Sequence, residues 1–521
     1  MKRIICLSMC LVMLLAALVG CNIGKDPENE SSDNAQSGNS SDVNEPAETD
    51  EYGQTVEKHE VPDELDYNGA EVVIASRSDD RFRREFGLDT QSSAIDTRVY
   101  KRNEKVQQEI GVQIVIKGDF DHTNEINAPG DIFAYVDKQY KAGQDSYDIL
   151  GTYAAYAAQA GIRDYLVNLY DDSMTYLNLE KRYWNQTYVE AATLHDQLYY
   201  IVGDMNLTVY DRISVNFTNL TALEANTDWT RDELYKLVND GKWTVEKFNE
   251  IIAEAGWVDD SQDNQPSATD HFGLVWNFVV PSTDAYMSAF NFSLINVNDD
   301  GSLDFTIENN LARLENAYES LASVYRQQAS FRGGADVNRI IFTDGRSVFW
   351  TSILSRSDAE TKEIRSVKFD YTILPLPKLE VDDAVRYQTM PIDTYNTMVV
   401  LDNKTDEQLE IISATMELLN AYSYSDVRPY YIEKVLKGRY VNGGDSVKML
   451  ETILDGITFK KEWVYCQQTG LISSYIWRHV FNKEFGDNPT DSSVTTQWEE
   501  FGGSAESDLY DLDEFFRASK E

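Results

Sequence analysis

Apolar residues follow two alternating periods over roughly residues 70–150. Residues 71–75 (EVVIA), 112–116 and 147–150 are short, nearly continuous apolar runs, the pattern of strands buried on both faces. Between the first two, Ile95, Val99, Val106 and Ile110 recur at helical spacing, and Gly111 closes that helix. Ile132, Phe133, Val136 and Tyr140 mark a second helix before the third run. Strand–helix–strand–helix–strand predicts a parallel, doubly wound sheet, an α/β fold. Ligands of such sheets sit beyond the carboxyl ends of the strands, which puts Ser76, Arg77, Thr152 and Tyr153 at a cleft rim.

From Lys181 onward the pattern changes. Residues 198–202 and 213–217 are strand-type runs rich in Tyr, Ile and Val, and the polar step Gly203-Asp204-Met205-Asn206 separates them. Two strands joined in this way can carry the chain from one lobe to another. The spacing therefore predicts two lobes with a cleft at the crossing, a hinge near 203–212, and return passes near 355–366 and 401–405. Further on, 244–255 is an amphipathic helix stopped by Gly256, and 273–280 is a strand holding Trp276. Leu311, Leu314, Tyr318, Leu321 and Tyr325 form a helical stripe, and 347–350 is a strand ending in Trp350. Strands at 369–374 and 398–401 are assigned back to the first lobe. Thr405 with Gln408 makes a capping box for a helix carrying Leu409, Ile412, Met416 and Leu419. The expected division is lobe one at 68–205 plus 366–402, lobe two at 206–365 plus 403–490, and an acidic, weakly specified tail at 491–521.

Composition narrows the function. A chain of 521 residues suggests two or three domains. A formal net charge of −42 argues against nucleic acid and against docking on anionic lipid. Cys6, Cys10 and Cys21 lie in the first segment and only Cys466 lies in the body, so the folded part has no disulfide framework. Lys2 and Arg3 precede an apolar run to Gly20, a signal-peptide layout whose rival is a membrane-spanning helix. Leu18-Val19-Gly20-Cys21 favours the first, with residues 1–20 removed and Cys21 acylated as a lipid anchor. Residues 21–67 are rich in Asn, Ser, Asp, Glu, Pro and Gly and are expected to be a disordered acidic tether.

Several short stretches, taken in order, resemble a known family. They are Tyr183-Trp184-Asn185-Gln186, Leu198-Tyr199-Tyr200 with Val202-Gly203-Asp204, Gly241-Lys242-Trp243-Thr244, Phe342-Thr343-Asp344-Gly345-Arg346 and Pro375-Leu376-Pro377-Lys378. Over roughly residues 68–480 the chain resembles the extracellular solute-binding proteins of bacterial ABC importers, in particular the large sugar-type lipoproteins. The resemblance implies a two-lobed, periplasmic-binding-protein-like (type II) fold. It also implies a monomeric receptor that closes over a sugar outside the cell and delivers it to an ABC permease.

Sugars offer apolar C–H faces to rings and a polar rim to carboxylates and guanidinium groups. Tyr153, Trp276, Trp350 and Tyr395 are candidate ring contacts, and each can equally be core. Asp204 in the crossing turn and Asp393 in Pro391-Ile392-Asp393-Thr394 can each accept two hydroxyls, or simply hold their own turns. Arg77 can donate to ligand or pair with Asp79 or Asp80. No cofactor and no metal is implied. The five histidines are scattered, and the calcium-like start Asn296–Gly301 would place Ile307 where a bidentate Glu is needed, so Asp300-Gly301 is read as a hairpin turn. No nucleophile elbow, phosphate loop, dinucleotide fingerprint or zinc-protease helix is present. A surface-anchored glycoside hydrolase or lyase using paired carboxylates is the alternative, and a purely structural surface lipoprotein is a third.

Overall fold

The computed structural model describes residues 55–120, 140–144, 146–154, 157, 165–277, 280–355, 364–382, 386–440 and 443–518, together with 49, 52 and 53. The continuous apolar runs form the first sheet. β1 (Ala70–Arg77) lies between β2 (Val112–Phe120) and β3 (Ile149–Tyr153) and pairs with both in parallel. The helix predicted between β1 and β2 is α1 (Ala94–Ile110), and it buries Ile95, Val99, Val106 and Ile110. It opens with Ser93 Oγ accepting from the Asp96 N–H and closes on Gly111 at φ +64°. A side chain at Gly111 would also run into the Asp66 carboxylate, so conformation and close approach both require glycine. Ile132, Phe133 and Val136 lie outside the described residues, as do the signal segment, Cys21 and the tether as far as residue 48.

The predicted tether extends too far. Residues 55–67 lie against the fold: Val61 is buried, Lys181 Nζ is 2.8 Å from Glu60, and His59 Nε2 is 3.1 Å from the Tyr422 hydroxyl. A polar segment can still be ordered when a few apolar and charged groups find partners that are distant in sequence.

The crossing forms where the pattern places it. Ile201 exchanges two backbone bonds with Met398 of the first sheet, and Gly203 and Asn206 close the turn. Ile213 then pairs with Pro391, and the chain enters the second sheet as β4 (Ser214–Asn219). α2 (Val245–Ala255) follows, capped by Thr244. The sheet gains β5 (Trp257–Val258) and β6 (His271–Trp276). β7 (Ile295–Val297) and β8 (Leu303–Phe305) form the predicted hairpin, with Gly301 at φ +84°. α3 (Ile307–Tyr325), β9 (Ser330–Arg332), β10 (Ser347–Ile353) and β11 (Tyr371–Leu374) complete the half. The order is β11-β4-β10-β6-β5, with β9 also on β6. Both faces are covered: Leu274 and Phe349 belong to one core and Val275 and Trp350 to another. This is why β10 reads as an unbroken apolar stretch.

Three expectations of the division fail. β11 pairs with β4, Ile373 opposite Phe217, so residues 369–374 belong to the second sheet rather than the first lobe. The return pass therefore lies in the described residues 375–382 and 386–395 and not in 355–366, of which 356–363 lie outside the described residues. It runs beside the outgoing pass, with Ile392 N donating to Arg212 O at 2.9 Å and Thr389 Oγ1 donating to Ser214 O at 2.7 Å. Only then does β12 (Asn396–Val400) pair antiparallel with β3, as predicted for the first sheet. Second, α4 (Asp406–Tyr422) places Leu409, Ile412, Met416 and Leu419 in the first core, so it belongs to lobe one. Its capping box is formed by both predicted bonds. The chain recrosses after α4, and Val427, Tyr431 and Ile432 join Val215 and Ile373. Third, the supposed tail contains α5 (Val494–Ala518), with Val494 and Ala505 in the second half's core and Leu509, Leu512 and Phe516 in the first. Residues 48–521 thus form one compact unit in which the halves meet closely.

Candidate functional site

Where the halves meet, a cavity of about 180 Å³ remains. Its walls come from several passes of the chain. Ala154 follows β3, Asp284 lies in the turn after β6, and Met390, Pro391, Asp393 and Tyr395 come from the return pass. Phe459, Trp463, Cys466, Gln467, Ser474 and Arg478 come from the helices and turns well beyond α4.

Asp284 is the most deeply placed of these groups. Its carboxylate has no solvent exposure, and Arg478 Nη2 stands 3.1 Å from Oδ2. Burial pushes the Asp284 carboxyl up to about 7, against the pull of Arg478. The turn that carries it is held from behind: Trp477 Nε1 donates to Thr283 O at 2.9 Å, and the Tyr325 hydroxyl donates to Ser282 O. Arg478 is fixed in turn by donating to Ser474 Oγ at 2.7 Å. Asp393 lines the cavity and is itself exposed to solvent. Enclosure raises its carboxyl, and Arg478 and Arg77 oppose that rise. The rings of Tyr395 and Phe459 meet edge-on, with centroids 5.4 Å apart, and Tyr188 backs both. Cys466 has its thiol pushed up to about 12 by burial and is an inert wall.

The residues proposed from sequence fall into three groups. Asp393 and Tyr395 line the cavity. Arg77 and Tyr153 stand next to it and do not line it. Arg77 donates to Thr394 O at 2.9 Å, with its guanidinium 4.9 Å from the Tyr153 ring centre and 3.2 Å from that of Phe82. Burial lowers its pKa to about 10. It braces the segment that presents Asp393, with Asp79 acting on it electrostatically while pairing with Arg81. Asp204, Trp276 and Trp350 are elsewhere. Asp204 lies 3.4 Å from Arg428 in the crossing, where burial pushes its carboxyl to about 6. Trp276 is stacked on Tyr325 at 3.7 Å, and Trp350 on Phe217 at 4.9 Å, both within the core of the second half. Strand-end reasoning could have suggested Asp284, a short step beyond β6. Nothing local in the sequence marks Phe459, Trp463, Gln467 or Arg478, which lie among helices and turns and are brought to the cavity only by tertiary packing.

Chemically, the cavity balances its charges: Asp284 and Asp393 face Arg478, with Arg77 behind Asp393. Among the described lining residues, no buried charge lacks a group of opposite sign. The site offers acceptors and donors side by side, which suits hydroxyl groups that both donate and accept, and it adds aromatic edges for apolar ring faces.

Two α/β halves joined by adjacent crossings, with a polar, ring-lined cavity at the junction, define the two-lobed, type II periplasmic-binding-protein-like fold. No protein-family model and no curated protein matches the chain. Solved structures do. The chain is similar to the galacto-N-biose-/lacto-N-biose I-binding protein of the ABC transporter from Bifidobacterium longum, at 12% identity over 87% of this chain and 98% of that one, with a TM-score of 0.50. It is also similar to the GacH receptor of Streptomyces glaucescens (11% identity, 85% and 98% covered, TM-score 0.49). A third similar structure is an ABC substrate-binding protein from Listeria monocytogenes in complex with cycloalternan (12%, 84% and 98%, TM-score 0.46). At 12% identity and a TM-score of 0.50, the likeness to the Bifidobacterium longum protein is one of fold.

Proposed function

We propose that this chain is an extracellular receptor that binds a neutral carbohydrate between its halves and hands it to the permease of an ABC importer. The observation that carries this reading is the charge-balanced, aromatic-walled cavity formed by Asp284, Asp393, Arg478, Tyr395 and Phe459 at the junction of the lobes. The shared fold supports it, because the proteins named above are described as ABC-transporter receptors or as bound to saccharides. Ligand favours the closed form because only that form contacts it from both sides. A thermal-shift screen of neutral glycans, charged sugars and peptides tests the reading. Neutral glycans are expected to raise the unfolding midpoint. A response to peptides alone would reverse the assignment. Prolonged incubation followed by product analysis separates receptor from glycoside hydrolase, since the receptor leaves every glycan intact.

The membrane attachment belongs to the same proposal. No helix among the described residues is long and apolar enough to cross a membrane, and Gly20-Cys21 after the apolar run supplies a site for acylation. Cys21→Ala, expressed in a bacterial host that processes lipoproteins, is expected to move the protein out of the membrane fraction. Unchanged membrane retention on fractionation would argue for a spanning segment instead.

A further inference from the structure

We propose that Glu85 is the pivot of the lobe movement. Its buried carboxylate holds the outgoing crossing and the end of the return pass together, and so sets how Asp393 and Tyr395 are presented to the cavity. The inference rests on the receptor reading only for the movement of the halves, not for the solute they enclose. Glu85 follows β1, is 1% exposed and does not line the cavity. Its two oxygens accept donors from two separate passes of the chain. On the outgoing crossing these are the Thr208 N–H at 2.7 Å and Asn206 Nδ2 at 3.1 Å. At the end of the return pass it is Asn396 Nδ2, the first residue of β12, at 2.9 Å. The passes are also joined directly, since the Asn396 N–H donates to Thr208 Oγ1 at 3.0 Å.

The last recrossing meets the same place. Arg102 of α1 is also buried; its Nη2 donates to Glu85 O at 2.8 Å and its Nη1 to Ser423 Oγ at 3.0 Å, where the chain leaves α4. The cavity wall is close by along the chain. Asp393 and Tyr395 line the cavity just before Asn396, and Arg77 holds the Thr394 carbonyl between them. A rotation of the crossing at Asn206 and Thr208 therefore pulls on Asn396 or breaks a bond to Glu85. A carboxylate suits this position because it only accepts, and both its oxygens can serve donors. An apolar side chain would leave the Thr208 N–H and the Asn206 amide without that acceptor. Holding a carboxylate there is unfavourable: burial pushes it up to about 7, against the bonds from Thr208, Asn396 and Asn206. A group that is costly to bury, yet bonded to both passes, is explained by the geometry it enforces rather than by the stability it adds.

The test compares the intact chain with Glu85→Gln, which keeps the side chain's shape and turns one acceptor into a donor facing a donor. Amide hydrogen exchange without added solute is the first measurement. Protection of residues 203–212 and 391–397 is expected to fall together by about tenfold, while β1 and β10 keep theirs. The unfolding midpoint at pH 8 is expected to hold, because the amide carries no charge for burial to penalise. Calorimetry with a panel of neutral mono- to tetrasaccharides is the second measurement. Every affinity is expected to fall by about tenfold, although Glu85 does not line the cavity. Protection that stays at the wild-type level, or that falls equally throughout both halves, would overturn the pivot. If Glu85→Gln fails to fold, Asn206→Ala decides, since it removes one donor and leaves Glu85 its other bonds. It is expected to loosen 391–397 along with 203–212, and loosening confined to 203–212 would overturn the pivot. A panel in which no saccharide binds would remove the carbohydrate reading, while the exchange measurement still decides the pivot.

Discussion

Replacing Glu417 with alanine is expected to lower the unfolding free energy by about 4 kcal/mol, the largest single effect at a site remote from ligand. Glu417 is fully buried on α4 and accepts three donors from one stretch of chain: the Tyr183 hydroxyl, Trp184 Nε1 at 3.1 Å and the Asn178 N–H at 3.1 Å. Alanine would strand all three donors in the first core. The carboxyl also carries a pH signature. Burial is the main cause raising it from 4.5 to about 7, against the donors from Tyr183, Asn178 and Trp184. A carboxyl raised on folding adds stability that is complete below its unfolded value and is lost as pH climbs through its folded value. Glu85 and Glu462, also buried, move the same way, each to about 7. Chemical denaturation should therefore give a higher midpoint at pH 5 than at pH 8. Glu417→Gln should shrink that difference by removing one titrating group. A flat wild-type profile, or a glutamine variant falling as steeply as the wild type, would contradict this account.

The second large effect is expected at Arg478. Changing it to methionine removes the guanidinium 3.1 Å from Asp284 and one of the donors of the cavity, and glycan affinity should fall roughly 100-fold by calorimetry. The same change leaves a carboxylate without exposure and without its cation, so stability should fall as well. Adding Asp284→Asn separates the two consequences. The double variant should recover much of the lost stability, because the stranded charge is gone, yet bind no more tightly than the single variant, because the polar pair that reads hydroxyls is gone. Recovery of both properties together would mean that Arg478 acts only by keeping the fold intact. Retention of affinity in the single variant would place the ligand elsewhere.

The sequence made particular elements legible for local reasons. α1 was readable from four apolar positions at helical spacing and a terminal glycine, and the structure adds only its Ser93 cap. The capping box at Thr405 and Gln408 and the hairpin at Asp300-Gly301 are contacts within a few residues, which the sequence itself brings together. The site was legible only in part. Asp393 and Tyr395 were reached by turn and strand-end reasoning, and Arg77 and Tyr153 proved to be neighbours that brace them. Trp276 and Trp350 show why ring abundance is a weak guide: both rings found flat aromatic partners within one half, and a ring already stacked in a core has no face left for a sugar.

By itself, then, the chain order of apolar periods determined that this protein is built from α/β halves joined by a crossing near Gly203, since burial period and turn chemistry are properties of neighbouring residues. It did not determine which sheet β11 joins, that α4 returns to the first half, or that α5 is packed structure rather than tail. A strand or helix reports which of its faces is apolar and nothing about the surface that will cover it. The cavity belongs wholly to the tertiary structure. Asp284, Asp393, Phe459 and Arg478 come from separate stretches of sequence, and only the packing of the two halves against each other brings them to one place.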